Sequence, residues 1–340
     1  MACGALHDWW LYISVEGAKV TTGLAISRIP VQSFEKRLPC KPIPIVKPGL
    51  TQEKRSQEST TEEVRNFQNV VFSGGGNRCF WQAGFWSVAA PALSLKPLRV
   101  AAVSAGSAIA CGLFSGTFEK GFASYKKAIR KNHSNLHLRN LFREQSVFPH
   151  GDIYRNAILS CIDEHALLRL HKVPEIRVLI SSPPRWASPR VALLCGMIAT
   201  GIDVFGEERV HSSIGRRIGF KPLFIRVREC RTPESLADLI FASSCAPPLI
   251  PQARRDGIAL FDGGLVSNVP TEGVSEEDGD TLVLLTRQFT KLPVISGRTY
   301  VQPSQPIPVA AWDYTNDVAL QSTFDLGRRD GERFCSPLCT

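Results

Sequence analysis

No stretch of this sequence is long and apolar enough to be predicted as a transmembrane helix. A transmembrane helix needs about 18 to 20 consecutive apolar residues, and every apolar run here is shorter. Residues 1–20 carry no positively charged segment ahead of their apolar stretch, so we do not expect a signal peptide. The sequence therefore predicts a cytoplasmic protein whose contact with a membrane, if any, is peripheral.

Metal-ligand spacing and nucleic-acid motifs are also missing. Most of the ten cysteines lie in apolar runs, where a free thiol behaves as a small buried hydrophobe, and disulfide frameworks are typical of short secreted chains. Cys335 and Cys339 have no second pair near them, so we predict no metal site. Neither an RNA-binding aromatic strand nor a basic heptad helix is present, which argues against a nucleic-acid partner.

The composition is that of an ordinary globular protein with a basic balance. Its 340 residues, 44% of them hydrophobic and 21% charged, suffice for one large α/β domain or two modest ones. The formal net charge of +9 favours anionic partners, such as an acidic lipid surface. A solvated surface that happens to be basic is the alternative explanation.

The chain divides at about residue 65. Residues 1–65 are rich in proline, charged residues, serine and threonine without helical or strand periodicity, which predicts a poorly ordered N-terminal extension. Residues 66–335 form the predicted folded domain. Predicted strands there cover 69–72, 98–103, 176–180, 224–227, 258–261 and 281–285, and predicted helices cover 78–90, 105–114, 118–131, 152–169, 191–199 and 233–242. This alternation predicts an α/β fold with a mostly parallel sheet flanked by helices.

Ser104 is the first candidate for catalysis. It follows a predicted buried strand, and Gly106 lies two residues further on. A serine on such a sharp strand-to-helix turn exposes its hydroxyl and faces the free N–H groups of the next helix. The alternative is a small-residue turn at a close helix–sheet contact. Ser107 is a weaker rival nucleophile, since it falls within the first helical turn.

A glycine cluster, Gly74-Gly75-Gly76, follows the first strand and precedes Arg78. Consecutive glycines leave backbone N–H groups free to bind an anion or a developing oxyanion. A phosphate-binding loop would need Gly-Lys-Ser/Thr or Gly-x-Gly-x-x-Gly spacing, and neither is present. A purely structural turn remains the other interpretation of this loop.

Asp262 lies at the end of a short apolar strand and is followed by Gly263 and Gly264. A carboxylate on this turn could accept a proton from a serine hydroxyl, although Asp-Gly turns are common without any function. The glycine loop, Ser104 and Asp262 all follow predicted strands, and ligand sites in parallel sheets gather at the carboxyl ends of strands. We therefore expect the three to meet in one cleft.

Taken together, these motifs resemble the patatin-like phospholipase family. The resemblance rests on a Gly-Gly-Gly-x-Arg loop, a Gly-x-Ser-x-Gly-like elbow, an Ala-Ser-x-Ala-x-Pro-like segment at 242–248, and an Asp-Gly-Gly turn trailed by Asn268 and Pro270. It extends from about residue 69 to 331 and includes a tail segment with matching stretches at 312–316 and 325–330. Two departures are Ala102, where the elbow has its first glycine, and Cys79, where a glycine often follows the arginine.

The resemblance implies a three-layer α/β/α fold and hydrolysis of lipid or phospholipid acyl esters. By the same resemblance, Ser104 is the nucleophile, Asp262 the base, and the loop containing Gly74, Gly75, Gly76 and Arg78 the oxyanion hole, with no histidine, metal or cofactor. Two other functions stay open. One is a catalytically silent lipid-binding or regulatory protein on the same fold, and the other is a hydrolase of small esters or thioesters.

Overall fold

An eight-stranded sheet is the centre of the protein in a computed structural model that describes residues 66–142, 146–172, 174–184, 186, 210–211, 214–247, 249–251, 253–255, 258–274 and 279–336. The predicted N-terminal extension, 1–65, and the predicted helix at 191–199 lie outside the described residues. The domain boundaries of the previous section accordingly stay predictions.

The strands are short and buried. In chain order they are β1 (Asn69–Phe72), β2 (Arg99–Val103), β3 (Glu175–Ser182), β4 (Lys221–Arg226), β5 (Ala253–Arg255), β6 (Ile258–Asp262), β7 (Thr281–Leu284) and β8 (Arg298–Val301). They lie side by side in the order β5-β6-β3-β2-β1-β7-β8, and β4 pairs with β3. Every residue of β1 and β7 is buried, as expected for strands covered on both faces.

The sheet is parallel through its centre and antiparallel at one side. β2, β1, β7 and β8 run parallel to their neighbours, and β2 also runs parallel to β3. β4 and β6 both run antiparallel to β3, and β5 runs antiparallel to β6. The predicted mostly parallel sheet is confirmed, and the antiparallel side carries the strand that ends at Asp262.

Helices flank this sheet, as the predicted three-layer α/β/α fold requires. The described α-helices are α1 (Phe80–Ala92), α2 (Ala105–Ser115), α3 (Phe118–Lys131), α4 (His150–Cys161), α5 (Glu164–Leu170), α6 (Ile214–Arg217), α7 (Pro233–Ser243) and α8 (Asp317–Cys335). Short 3-10 helices cover Gly76–Cys79, Leu138–Phe142, Val227–Glu229, Gly263–Leu265 and Thr271–Gly273.

Several elements differ from the predictions. The helix predicted over 152–169 is two helices. The first ends at Cys161, where Ile162 is extended, and Asp163 caps the second by accepting a hydrogen bond from the N–H of Ala166 at 2.8 Å. β4 covers Lys221–Arg226 rather than 224–227. The strands β5 and β8 and the long helix α8 were not predicted, although α8 contains part of the tail segment noted above.

The largest hydrophobic core lies on one face of the sheet, where α1, α2, α7 and α8 pack. Alternate residues of β1, Val70 and Phe72, point into it, while Val71 points to a smaller cluster on the opposite face. Among the described helices, none has both the length and the apolar character needed to cross a membrane.

Candidate active site

Ser104 occupies the turn between β2 and α2 in a strained backbone conformation. Its φ is 52° and its ψ −135°, a region that costs a non-glycine residue about 1–3 kcal/mol. The Ser104 N–H donates to Oγ of Ser243 at 2.8 Å, and Ser243 Oγ donates to the carbonyl of Leu179 at 2.7 Å. A buried hydroxyl on α7 therefore holds the strained residue against β3.

Gly106 allows α2 to start this close to β1. A Cβ at this position would lie 2.5 Å from the carbonyl oxygen of Ser73 and 2.8 Å from that of Phe72. Ala102 meets no such conflict, since it lies in β2 paired with Phe72 and its φ is not positive. The alanine at the first elbow position is thus compatible with the turn.

Asp262 meets Ser104 at the end of β6. Its Oδ2 accepts a hydrogen bond from Ser104 Oγ at 2.8 Å, and its Oδ1 accepts one from the N–H of Gly264 at 2.6 Å. Gly263 packs where a Cβ would overlap the carbonyl of Leu179. The carboxylate is therefore fixed from two sides, with one oxygen facing the serine.

The strand carrying Asp262 reaches the site from the opposite direction to the parallel strands. β6 pairs with β3 only at Ile180–Asp262 and Ser181–Phe261, near the carboxyl end of β3. The expectation that Ser104, Asp262 and the glycine loop meet in one cleft agrees with this geometry. The expected reason, a shared carboxyl edge of parallel strands, holds for the loop and Ser104 but not for Asp262.

Burial changes the acidity of Asp262. Loss of hydration raises the pKa of its carboxyl from 3.8 to about 6, while the hydrogen bonds from Gly264 and Ser104 oppose the rise. At neutral pH the group is ionised, and it is a stronger base than an exposed aspartate. This is the protonation state and the direction of shift that a general base requires.

In the glycine loop, the carbonyl oxygens of Gly74 and Gly75 accept hydrogen bonds from Thr286 and Arg78. Thr286 Oγ1 donates to the carbonyl of Gly74 at 2.5 Å, and the Arg78 N–H and Nε donate to the carbonyl of Gly75 at 3.2 and 3.3 Å. In a trans peptide the C=O and the following N–H point in opposite directions. The N–H groups of Gly75 and Gly76 are thereby turned away from Thr286 and Arg78, and among the described residues they have no acceptor.

Gly74 differs from Gly75 and Gly76 because its N–H group has a hydrogen-bond acceptor. Its N–H donates to the carbonyl of Asn268 at 3.0 Å, so it is not free for a ligand. A Cβ at Gly74 would lie 3.4 Å from Cβ of Ser104 and overlap the Asn268 side chain. Glycine here allows the loop, the elbow and the turn after Asp262 to approach one another.

A cleft of about 680 Å³, including the space at its open mouth, begins at Ser104 and is mainly apolar. Ser104 itself is only 7% exposed. Side chains of α2, α3 and α4 form most of the walls, and Gly76, Phe80, Ser244, Ile250, Trp312 and Tyr314 complete the lining together with neighbouring residues. A substrate reaching Ser104 would be in contact with this apolar surface.

Other potential nucleophiles and bases near the site form hydrogen bonds with groups other than Ser104 Oγ and Asp262. Ser107 is fully buried, and its Oγ donates to the carbonyl of Ser104 at 2.5 Å. His150 is bonded through Nε2 to the carbonyl of Trp312, and none of the described histidines is bonded to Ser104 or Asp262. Cys79 is buried with Sγ 3.5 Å from the carbonyl of Ser73, and burial raises the pKa of its thiol far above the usual value.

Sequence reasoning missed Ser243 and Thr286 as parts of this site. Ser243 lies within the family-like 242–248 segment, which could have drawn attention to it; Thr286 lies just after β7 and has no sequence signal of its own. In the part of the chain that the structure describes, no group of three or more His, Cys, Asp or Glu side chains could hold a metal ion.

Comparison with known proteins agrees with this geometry. The family model of patatin-like phospholipases matches residues 70–274, which is more than half of the chain. A search of curated proteins returned no match. The matched region contains the glycine loop, the Ser104 turn and the Asp262 turn. The chain belongs to the patatin-like phospholipase family, a family of lipid acyl hydrolases.

Proposed function

We propose that this protein hydrolyses acyl esters of lipids, with Ser104 as nucleophile and Asp262 as general base. The observation that carries the proposal is the 2.8 Å hydrogen bond from Ser104 Oγ to Asp262 Oδ2 at a strained strand-to-helix turn. Nucleophile and base within hydrogen-bond reach, with the base itself held by a third group, are the signature of an activated hydroxyl. Here the third group is the N–H of Gly264.

In the proposed first step, Asp262 takes the hydroxyl proton as Ser104 Oγ attacks the ester carbonyl. The carbonyl oxygen becomes an oxyanion, which the N–H groups of Gly75 and Gly76 stabilise. The intermediate then expels the alcohol, which receives the proton from Asp262, and an acyl-serine remains. Water attacks this ester with Asp262 again as base, which releases the fatty acid and restores the serine.

The bonding of the loop supports the role given to the glycine N–H groups. An oxyanion hole is effective when its donors are already oriented before the charge develops. The bonds from Thr286 and Arg78 to the loop carbonyls provide that orientation. On this proposal Arg78 acts by positioning the Gly76 N–H.

The lining of the cleft supports a lipid substrate, since an acyl chain would lose contact with water along the apolar walls. The net charge of +9 supports peripheral contact with an anionic membrane on the cytoplasmic side. Sedimentation with vesicles tests the second point. Binding to phosphatidylglycerol vesicles that weakens with salt is expected, and equal binding to phosphatidylcholine vesicles would contradict it.

Labelling with a fluorophosphonate probe tests the proposed chemistry, because only an activated serine reacts. We expect an adduct on Ser104 in the wild-type protein, no adduct in Ser104→Ala, and a much slower reaction in Asp262→Asn. Ser107→Ala is the matched control and should keep the adduct on Ser104. An adduct elsewhere would exclude Ser104 as nucleophile.

Assays of labelling, lipid binding and ester hydrolysis on the wild-type protein distinguish two other functions. A folded wild-type protein that binds lipid vesicles but takes no label would be a silent lipid-binding member of the family. A labelled protein that hydrolyses soluble short esters and thioesters faster than esters in vesicles or micelles would be a small-ester hydrolase.

A further inference from the structure

The cleft beside Ser104 is built from three equivalent helix faces. α2, α3 and α4 each contribute four residues at positions i, i+3, i+4 and i+7, which form one stripe on each helix. The stripes are Ala105, Ala108, Ile109 and Gly112 on α2; Phe118, Gly121, Phe122 and Tyr125 on α3; and Tyr154, Ala157, Ile158 and Cys161 on α4. Each stripe covers two helical turns, about 10 Å along its helix axis, and we take this length as the depth of the cleft.

Polar contacts between buried side chains lie at one end of this cleft. Tyr154 Oη and Ser244 Oγ are 3.0 Å apart, and Tyr125 Oη donates to Oδ1 of Asn77 at 2.7 Å. Ser104 lies at this end, at the N-terminus of α2. Both tyrosines therefore stand beside the ester end of a bound substrate.

The opposite end of the cleft is closed by direct contact between helices. A Cβ added to Gly121 of α3 would lie 3.0 Å from Cβ and 3.1 Å from Sγ of Cys161 on α4. A Cβ added to Gly112 of α2 would lie 3.4 Å from Cα of Phe118 at the start of α3. These contacts bring α4 against α3 and α3 against α2 about two turns from Ser104, and we take this end as the floor of the cleft.

We propose that this cleft is an acyl-chain pocket whose floor, at Gly112, Gly121 and Cys161, limits the length of the chain that is cleaved efficiently. An extended chain advances roughly 1.2 Å per bond, so a depth of about 10 Å accepts about eight to ten carbons. The protein is then a hydrolase of medium-chain acyl esters. This inference rests on the proposed function, because it places the scissile bond at Ser104.

Ala108 and Ala157 line the middle of the pocket on facing walls. In Ala108→Leu the added side chain fills space halfway down, and we expect the ratio of kcat/KM for p-nitrophenyl decanoate to that for the butyrate to fall about ten-fold or more. Cys161→Ala removes part of the floor and should shift the preference toward dodecanoate. Ala123→Leu, at an exposed position of α3, is the matched control and should keep the wild-type profile.

Wild-type rates should rise from acetate to octanoate or decanoate and fall at palmitate. A profile still rising at palmitate would overturn the inference. So would an unchanged decanoate-to-butyrate ratio in a folded Ala108→Leu protein together with an unchanged preference in Cys161→Ala.

Melting temperatures measured with free fatty acids distinguish failure of this inference from failure of the proposed function. If no ester is hydrolysed and no fluorophosphonate adduct forms, the proposed chemistry is wrong. The pocket is then tested by melting temperature alone: decanoate should stabilise the wild-type protein more than palmitate does, and Ala108→Leu should lose that gain. Absence of stabilisation by decanoate would overturn the pocket as well.

Discussion

Within the part of the chain that the structure describes, the buried carboxyl of Asp262 accepts hydrogen bonds from two donors. The donors are Ser104 Oγ and the Gly264 N–H, and together they do not offset the loss of hydration, so the pKa rises to about 6. A carboxylate with this pKa is a better proton acceptor than an exposed one, and it remains ionised at neutral pH.

The raised pKa of Asp262 predicts the acid limb of the pH profile. We expect kcat/KM to be constant above about pH 7 and to fall about ten-fold per pH unit well below pH 6, because protonated Asp262 cannot act as base. The folded state binds this proton more tightly than the unfolded state, so the contribution of Asp262 to stability decreases as pH rises from about 4 to about 6.

Rates measured in overlapping buffers check the profile, and melting temperatures check the linkage. Asp262→Asn cannot titrate, so its melting temperature relative to wild type should increase as pH is raised across the same interval. A wild-type rate that stays flat down to pH values near 4 would contradict the assignment of Asp262 as base.

Ser243 is a positioning residue for the proposed nucleophile, Ser104. Ser243→Ala leaves the Ser104 N–H and the Leu179 carbonyl without their partner, and an unsatisfied buried group costs about 1–3 kcal/mol. We expect a lower melting temperature and a kcat reduced about ten-fold with little change in KM. Ser115→Ala is the control, since Ser115 is buried at the far end of α2 and bonds to Gly112 and Thr117. Equal losses of kcat in both variants would exclude a specific role for Ser243.

At the level of secondary-structure elements, the contact between β1 and α2 determines the position of the proposed nucleophile, Ser104. Gly106 lies against the carbonyl groups of Ser73 and Phe72, and a backbone oxygen cannot move aside as a flexible side chain can. Any side chain at this position must push α2 away from the sheet. The turn containing Ser104 would move with it.

Gly106→Ala should therefore lower both stability and activity. We expect a loss of about 1–3 kcal/mol in the free energy of unfolding, in the range of overpacked core positions, measured by urea denaturation. Gly112→Ala is the control for stability within the same helix. Its Cβ would make an ordinary contact with Cα of Phe118 at 3.4 Å, and alanine stabilises a helix by about 1 kcal/mol relative to glycine. Equal destabilisation of the two variants would contradict this explanation.

At the scale of the whole molecule, α8 completes the main core although it lies beyond residue 274, where the family match ends. Gly84 of α1 and Gly327 of α8 lie where an added Cβ would overlap the backbone of the other helix, at Phe324 and Trp81. Trp81 Nε1 donates to Oδ2 of the buried Asp330 at 2.8 Å. The two helices are in backbone contact over about two turns, from Phe324 to Gly331 on α8.

Removal of residues 317–340 should expose the apolar face of α1 and leave the protein insoluble or partly unfolded. The fraction of soluble protein and the near-UV circular dichroism measure this. Gly327→Ala is a milder test that should lower the melting temperature, whereas Val318→Ala, at a position 70% exposed, should not. A truncated protein with wild-type melting temperature would contradict a role of α8 in the core.

Residue type and spacing alone predicted the central strands and the candidate residues Ser104 and Asp262. A buried strand followed by glycines, a serine elbow or an Asp-Gly turn has local signals in residue type and spacing. The N–H bond of Gly74 and the role of Thr286 have no such signals, since their partners lie far away in the chain, and the family-like segment that contains Ser243 does not reveal that Ser243 bonds to Ser104.

The way in which these segments meet depends on the three-dimensional fold. The alternation of side chains along β6 is the same in a parallel and an antiparallel strand, so the direction from which Asp262 reaches Ser104 depends on the path of the chain before it. Likewise, an i, i+3, i+4, i+7 stripe does not distinguish a helix face that packs against its neighbours from one that lines a pocket. That difference arises from the distances between α2, α3 and α4 in the folded protein, and the sequence of each helix alone does not determine those distances.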